Sequence, residues 1–429
     1  MTAGTTQEFA AFIGLDWADA QHDVCLQVAG SDKREWTTLA HRPEVIAAWA
    51  TDLLQRFEGQ PIAIALELNK GPIVEALRKY DGLVLFPINP LMLARYRQAF
   101  TPSCAKDDPT DAELQLELLL RHRDKLKPLM PQSPEMRALA QLVEHRRRLV
   151  GDRVRITNRL ISTLKMYFPH VLQWFPQQDT ILFCDFLSRW PTLNAAQRTR
   201  RRTLEQFFHQ HHVRGEQRIH ECLAAIKNAV PLTIDEGVIM PNALMAQALI
   251  AQLRVLLEAI EHFDHAIAER AQRHPDYALF DALPGAGPAL APRLLVAFGE
   301  QRERYGAAEE IQKYAGIAPV LERSGKQSWV HWRCQCPKFL RQTFVEWAAQ
   351  TVNKSFWAGA FYQRQRGKGS SHQAALRALA FKWIRILFRC WKNRTPYDES
   401  KYLFALKNRS SPLLALLSTE NTEPKFAKA

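Results

Sequence analysis

No stretch of the sequence reaches the roughly 18 apolar residues that a membrane-crossing helix needs, and Met1 to Phe9 lack the basic-then-apolar layout of a secretory leader. These absences lead us to expect a soluble, cytoplasmic protein with no membrane partner. The seven cysteines (Cys25, Cys104, Cys184, Cys222, Cys334, Cys336 and Cys390) are odd in number and scattered, which fits reduced thiols and not a disulfide framework. Only His331, Cys334 and Cys336 cluster, and no second pair at zinc-ligand spacing accompanies them. A phosphate-binding loop of the G-x-x-x-x-G-K type is missing, so ATP is not expected to drive the chemistry. An evident DNA-reading motif is missing too.

What is present is basic. Lysine and arginine number 57 against 44 acids in 429 residues, a net charge of +13. A surplus of that size favours a polyanionic partner. The 47% hydrophobic and 24% charged content is that of an ordinary globular chain. The length suits two to four domains at roughly 100–200 residues each.

The stretch "AFIGLDWADAQHDVCLQVAG", residues 10–29, is an apolar run closed by one acid, Asp16, then a polar turn and an alternating run. Strands are expected over Phe12 to Leu15, Val24 to Val28 and Glu35 to Leu39. A helix opens at Pro43, and Ile62 to Leu66 reads as a strand buried on both faces that ends in Glu67. A helix from Pro72, a strand over Leu83 to Ile88 and a helix over Leu91 to Phe100 follow. Three strands, then helix, strand, helix, strand, helix is the order of an α/β ribonuclease-H-like fold. In such sheets sites gather at the carboxyl ends of strands, where Asp16 and Glu67 stand.

Further acids come in "CAKDDPTDAELQLELLL". Asp108 precedes Pro109, and Asp111 follows three residues later on the same side of a leucine-rich helix. Both positions also suit a helix cap and first turn. Four carboxylates from two strand ends and one helix start have the chemistry to hold two hard divalent cations, Mg²⁺ being the expected ion.

From Glu135 to Phe168 the pattern is helical, with Leu142, Leu149 and Ile156 at seven-residue steps; Leu249, Leu253, Leu256, Ile260, Phe263 and Ile267 mark a second long helix. A coiled-coil hairpin, a dimer contact or an ordinary bundle fits these seams. The first helix carries Arg146, Arg147, Arg148, Arg153 and Arg155 with few acids nearby in sequence, which points to a nucleic-acid backbone as readily as to a solvated face. Another basic run, Arg198 with Arg200 to Arg202, lies in an inserted helical stretch. Beyond it, Gly285 and Gly287 precede an apolar helix in the manner of a helix-hairpin-helix turn, where backbone N–H groups approach a phosphate; a tight turn explains them equally well.

The segments "IGLDWA", "ALE", "FPINPLMLARYRQAF" and Lys106-Asp107-Asp108-Pro109-Thr110-Asp111-Ala112 resemble the RuvC-like DEDD domain of the insertion sequence 110 family of transposases. In that family these acids are catalytic and bind metal, which implies the same of Asp16, Glu67, Asp108 and Asp111. Asp107 is the rival for the third position, and "LNKGP" after Glu67 departs from the family's usual glycine-containing pair. The family's second signature falls on Gly316-Ile317-Ala318-Pro319 and Ser324-Gly325, which places the catalytic serine at Ser324, with Lys326 in place of a glycine and Ser328 as a weaker candidate. Arg323, Lys326, His331 and Arg333 lie close in sequence to steady a phosphate.

Four parts are expected: a RuvC-like domain over 8–125 and a mainly helical transposase domain over 276–408, as the resemblance implies, with a helical coiled-coil region over 134–275 carrying an insertion at 169–241 between them, and a flexible tail over 409–429, as composition and periodicity suggest. The resemblance also implies cutting and rejoining of DNA through a phosphoserine link, with donor and target chosen by a noncoding bridge RNA. Assembly would be as a dimer or tetramer with composite sites, in a prokaryotic cytoplasm and on the nucleoid when bound to DNA. A metal-dependent nuclease or junction resolvase without a serine step is the rival, and an RNA-binding scaffold with structural acids is a second.

Overall fold

The computed structural model describes residues 8–68, 70–100, 108–130, 132–411 and 413. The chain forms two compact units that divide between residues 131 and 132. The expected tail falls almost wholly outside the described residues, as do Lys106 and Asp107.

The first unit is α/β. Its elements are β1 (Ala11–Asp16), β2 (Gln21–Val28), β3 (Arg34–Ala40), α1 (Pro43–Arg56), β4 (Ile62–Leu66), α2 (Pro72–Leu77), β5 (Leu83–Pro87), α3 (Pro90–Phe100) and α4 (Asp108–His122). The sheet runs β3-β2-β1-β4-β5; β1 pairs antiparallel with β2 and parallel with β4, and β4 pairs parallel with β5. Because successive strand side chains point to opposite faces, Ile13, Leu15, Val24, Ile62, Ile64 and Leu66 pack on one side against α1 and α2. Ala63 and Ala65 face the other, with Leu93 of α3 and Leu114 and Leu118 of α4. Both faces are covered, which is why β4 is apolar throughout.

The second unit is helical apart from one hairpin. It comprises α5 (Pro134–Tyr167), α6 (Val171–Trp174), α7 (Ile181–Arg189), α8 (Leu193–Arg198), α9 (Arg201–Gln210), α10 (Glu216–Asn228), α11 (Glu236–Gln272), α12 (Tyr277–Asp281), α13 (Gly287–Phe298), α14 (Ala308–Tyr314), β6 (Val320–Ser324), β7 (Gln327–His331), α15 (Lys338–Thr351), α16 (Phe356–Gly367), α17 (His372–Asn393) and α18 (Glu399–Asn408). The long helices α5 and α11 lie antiparallel. Leu160 and Leu164 share a core with Leu249, Leu253 and the aromatic residues of α7 and α9, whereas Met136, Leu139 and Val143 share another with Ile267 and the C-terminal helices. The sequence seams therefore face each other within one chain. By length and composition α11 passes the threshold for crossing a membrane, contrary to the sequence expectation, although Leu249, Leu253 and Ile260 are buried against protein.

The C-terminal core is built on tryptophan. Trp347, Trp357, Trp383 and Trp391 are all fully buried. Each finds a partner for its indole N–H, as burial of that donor requires: Trp391 donates to the Gly299 carbonyl at 2.8 Å and Trp383 to the Thr351 hydroxyl at 2.9 Å.

Candidate active site and nucleic-acid interface

Alternation along β1 places Phe12, Gly14 and Asp16 on the α4 side of the sheet. Continued one residue past β4, it carries Glu67 to the same side after Ala63 and Ala65. Asp16 and Glu67 are each half-buried. Helix α4 can lie against β1 because Gly14 has no side chain: a Cβ there would fall 1.9 Å from the Ala112 carbonyl oxygen and 2.6 Å from the Leu116 nitrogen. That approach brings Asp111 and Gln115, one helical turn apart, over the strand ends.

Gln115 is completely buried. With its amide nitrogen toward the sheet it donates to the Leu15 carbonyl at 2.7 Å and the Ala65 carbonyl at 3.0 Å. The opposite assignment gives a single contact with Asp16 Oδ1 at 3.4 Å, too long to compete. The preferred orientation ties together the two strands that carry Asp16 and Glu67. It also leaves the Gln115 amide oxygen and Asp16 Oδ1 facing each other at that 3.4 Å.

Asp111 is buried and paired with Arg97 of α3, whose Nε is buried without a partner. The donors present are hard oxygens, so the residues suit a divalent cation in chemistry and in the side of the sheet they share. Among the described residues, no three acids, histidines or cysteines close into a metal-binding group. Asp108 begins α4, and its side chain lies outside the described residues. Asp23 stands directly across from Asp16 in the β1–β2 ladder and so shares its face, a carboxylate that sequence reasoning passed over.

On the other side of the sheet, fully buried His22 accepts the Ala18 backbone N–H at Nδ1, 3.3 Å away. Its proton is therefore on Nε2, which donates to His41 Nδ1 at 2.9 Å. Trp17 stacks over the His22 ring. Burial first, and then His41, push the His22 pKa down to about 4. This chain of contacts fixes the turn that follows Asp16. Nothing local in the sequence signals it.

Ser324, expected in a polar loop, is instead the last residue of β6. Gly325 and Lys326 make a two-residue turn to β7, and Gly325 has φ +56°, as the first central position of a type II′ turn demands. Cross-strand partners share a face. Ser324, Gln327, Glu322, Trp329, Val320 and His331 therefore lie on one face, and Arg323, Ser328, Leu321 and Val330 on the other. The structure thus separates Arg323 and Ser328 from the face of Ser324. On that face lie also His331 and Glu322, whose side chains approach to 3.1 Å. The whole hairpin apart from Val320 is exposed. Cys336 packs on Gly316, where a Cβ would meet its sulfur at 2.3 Å, so that thiol is accounted for by packing.

The α5 arginines have more acids around them than their sequence neighbourhood suggests. Arg146 pairs with Asp264, Arg147 and Arg148 with Glu144, Arg153 with Asp179, and Arg155 with Asp152. Arg148 and Arg155 stay well exposed. Of the two glycines before α13, Gly285 (φ +72°) is pressed against Gln350, with less than 3.0 Å left for a Cβ, so its space is taken by packing; Gly287 (φ +53°) faces open space.

Two family profiles match the chain. One, described as "Transposase", is the DEDD profile of the IS110 type and takes in residues 13–169; the other, "Transposase IS116/IS110/IS902 family", takes in 277–363. The chain belongs to the IS110 family of transposases. It is 29% identical over 403 residues (91% of this chain, 96% of the relative) to the mini-circle putative transposase for IS117 of Streptomyces coelicolor. A putative transposase, y4uE, of Sinorhizobium fredii is 30% identical over 217 residues, 49% of this chain and 59% of the relative. The IS116 uncharacterized 44.8 kDa protein of Streptomyces clavuligerus is 25% identical over 294 residues, 67% of this chain and 72% of the relative. The protein is thus the transposase of an insertion sequence, an enzyme acting on DNA. The first profile spans Asp16, Glu67, Asp108 and Asp111, and the second spans Ser324.

Proposed function

We propose that this transposase cuts and rejoins DNA through a phosphoserine link formed by Ser324, together with the acids of a ribonuclease-H-like (RuvC-like) first unit. The observation that carries the reading is the position of Ser324: a hydroxyl at the tip of an exposed hairpin, ahead of a glycine turn, open to a DNA strand. A serine hydroxyl is a weak nucleophile until its proton is removed. His331 shares this hairpin face but stands four ladder steps from Ser324, roughly 14 Å at about 3.4 Å per residue, so it is not the group that takes the proton. In the forward step the Ser324 Oγ–phosphorus bond forms as the phosphorus–oxygen bond to one deoxyribose breaks, and that sugar leaves as a hydroxyl after taking a proton. In the return step a hydroxyl of the exchanged strand attacks the phosphoserine, Ser324 regains its proton, and the bond energy is conserved.

Asp16, Glu67, Asp108 and Asp111 are the residues that would hold Mg²⁺. When bound, the ion supplies positive charge against a phosphate during transfer. The chain's own part is to gather the acids: Gln115 clamps the two strand ends, Arg97 holds Asp111, and the His22–His41 pair fixes the turn after Asp16. The resemblance further supports a bridge RNA that selects donor and target DNA by pairing, which suits a basic protein with no evident DNA-reading motif. It also supports a dimer or tetramer with shared sites, working in the cytoplasm at the nucleoid.

The test is strand cleavage on a denaturing gel with Mg²⁺, the flanking noncoding RNA and labelled donor and target DNA. Both Asp16→Asn and Ser324→Ala are expected to abolish cutting. Loss in Asp16→Asn with full cutting in Ser324→Ala would replace the proposal with metal-dependent hydrolysis.

A further inference from the structure

Directly after β7 the chain runs Trp332-Arg333, at the foot of the hairpin that carries Ser324. Trp332 is 46% exposed. The Arg377 guanidinium of α17 lies on its ring, 3.0 Å from the centroid, and the Arg341 guanidinium of α15 is 5.7 Å away. Arg341 also reaches the Arg333 carbonyl at 3.5 Å, and Arg333 Nε is buried without a hydrogen-bond partner. Among the described residues, neither Arg341 nor Arg377 forms an ion pair with an acid; Glu346, on the same helix as Arg341, is paired with Arg293. Burial and the charge of Arg341 lower the proton affinity of Arg377.

One arginine stacked on a tryptophan is an ordinary structural contact. Arg341 and Arg377, both on this ring and without an ion-paired carboxylate, repel each other, a cost that a polyanion would offset. An aromatic ring beside such cations, with nearly half its surface open, matches how proteins hold single strands: bases stack on the ring while guanidinium groups take the flanking phosphates.

We infer that Trp332 is a stacking platform for an unpaired nucleobase, with Arg341 and Arg377 gripping the phosphates beside it. The inference rests on the proposed strand chemistry at Ser324 and names the surface that would hold the strand there. From Trp332 to the turn the hairpin spans roughly 17 Å at about 3.4 Å per residue. A stacked strand covers that length in about five nucleotides.

The experiment measures binding by the full chain to fluorescein-labelled oligonucleotides of about 20 nucleotides, as single-stranded DNA, single-stranded RNA and duplex DNA, over a salt series. Trp332→Ala is expected to weaken single-strand binding by about 5- to 100-fold with an unchanged salt slope, and to affect the duplex much less. Trp332→Phe should retain most of the affinity. Arg341→Gln and Arg377→Gln should weaken all probes and each lower the salt slope by about one phosphate contact. The DNA-to-RNA ratio of the Trp332→Ala effect identifies which strand uses the ring. Unchanged single-strand binding in Trp332→Ala overturns the inference, as does an equal loss on all probes accompanied by a lower melting temperature or a changed oligomeric mass. Since the readout is binding, a protein that binds as expected but forms no Ser324 adduct would defeat the proposed chemistry alone. A Ser324 adduct with binding indifferent to Trp332 would defeat this inference alone.

Discussion

The Ala112 carbonyl oxygen occupies the space beside Gly14, 1.9 Å from where a Cβ would stand. Backbone fills that gap, and it cannot move aside as a flexible side chain does. Gly14→Ala must push α4 off β1, and with it Asp111 and Gln115. We expect a stability loss of at least about 1–3 kcal/mol, read from urea unfolding. Cleavage should fall further than stability does, because the displaced helix carries half of the site.

Asp111 and Arg97 form a buried pair. Removing one partner of such a pair leaves an uncompensated charge, which costs roughly 3–5 kcal/mol. Asp111→Ala should therefore unfold at markedly lower urea, and adding Arg97→Met should restore much of the stability. Neither variant should cut DNA. Equal stability of the single and double variants would show that the pair is not coupled.

Ser324 and Ser328 lie on opposite faces of one hairpin. Ser324→Ala is expected to lower recombination by about a thousandfold or more, the scale of losing a nucleophile, with an unchanged melting temperature. Ser328→Ala should stay within a few-fold of wild type. A time course of joined product for the two variants checks both expectations.

His22 has its pKa held near 4 by burial and by His41, against about 6.5 when unfolded. Between those values the unfolded chain binds more protons, so stability falls as pH drops from about 6.5 toward 4 and is fully present above that window. The loss attributable to this residue reaches up to about 3 kcal/mol at the acid end. Melting temperatures across this range should fall less steeply for His22→Gln than for wild type.

Local pattern made much of the first unit readable. The run Ile62 to Leu66 announced a strand covered on both sides, and the turn residues marked the ends of helices. Asp16 and Glu67 stood out as acids that closed apolar runs. The side of the sheet they share depends on strand order and on the glycine that admits α4, both of which are tertiary facts. Arg97, Gln115 and His22 were invisible for the same reason: each acts through a partner brought close only by folding. The α5 arginines show the reverse. Arg146 and Arg153 read as uncompensated because Asp264 and Asp179 are distant in sequence, and the antiparallel packing of α5 and α11 supplies Asp264; Arg147, Arg148 and Arg155 pair with Glu144 and Asp152 of their own helix. Ser324 read as a loop residue because an exposed two-stranded hairpin has too little apolar alternation to announce itself.

The most direct measurement is peptide mapping of the DNA-linked product formed with donor and target DNA, the noncoding RNA and Mg²⁺. A single DNA-bearing peptide with the link on Ser324, absent in Ser324→Ala and in Asp16→Asn, is the expected result. Free DNA ends with no linked peptide, formed equally by wild type and Ser324→Ala, would contradict it.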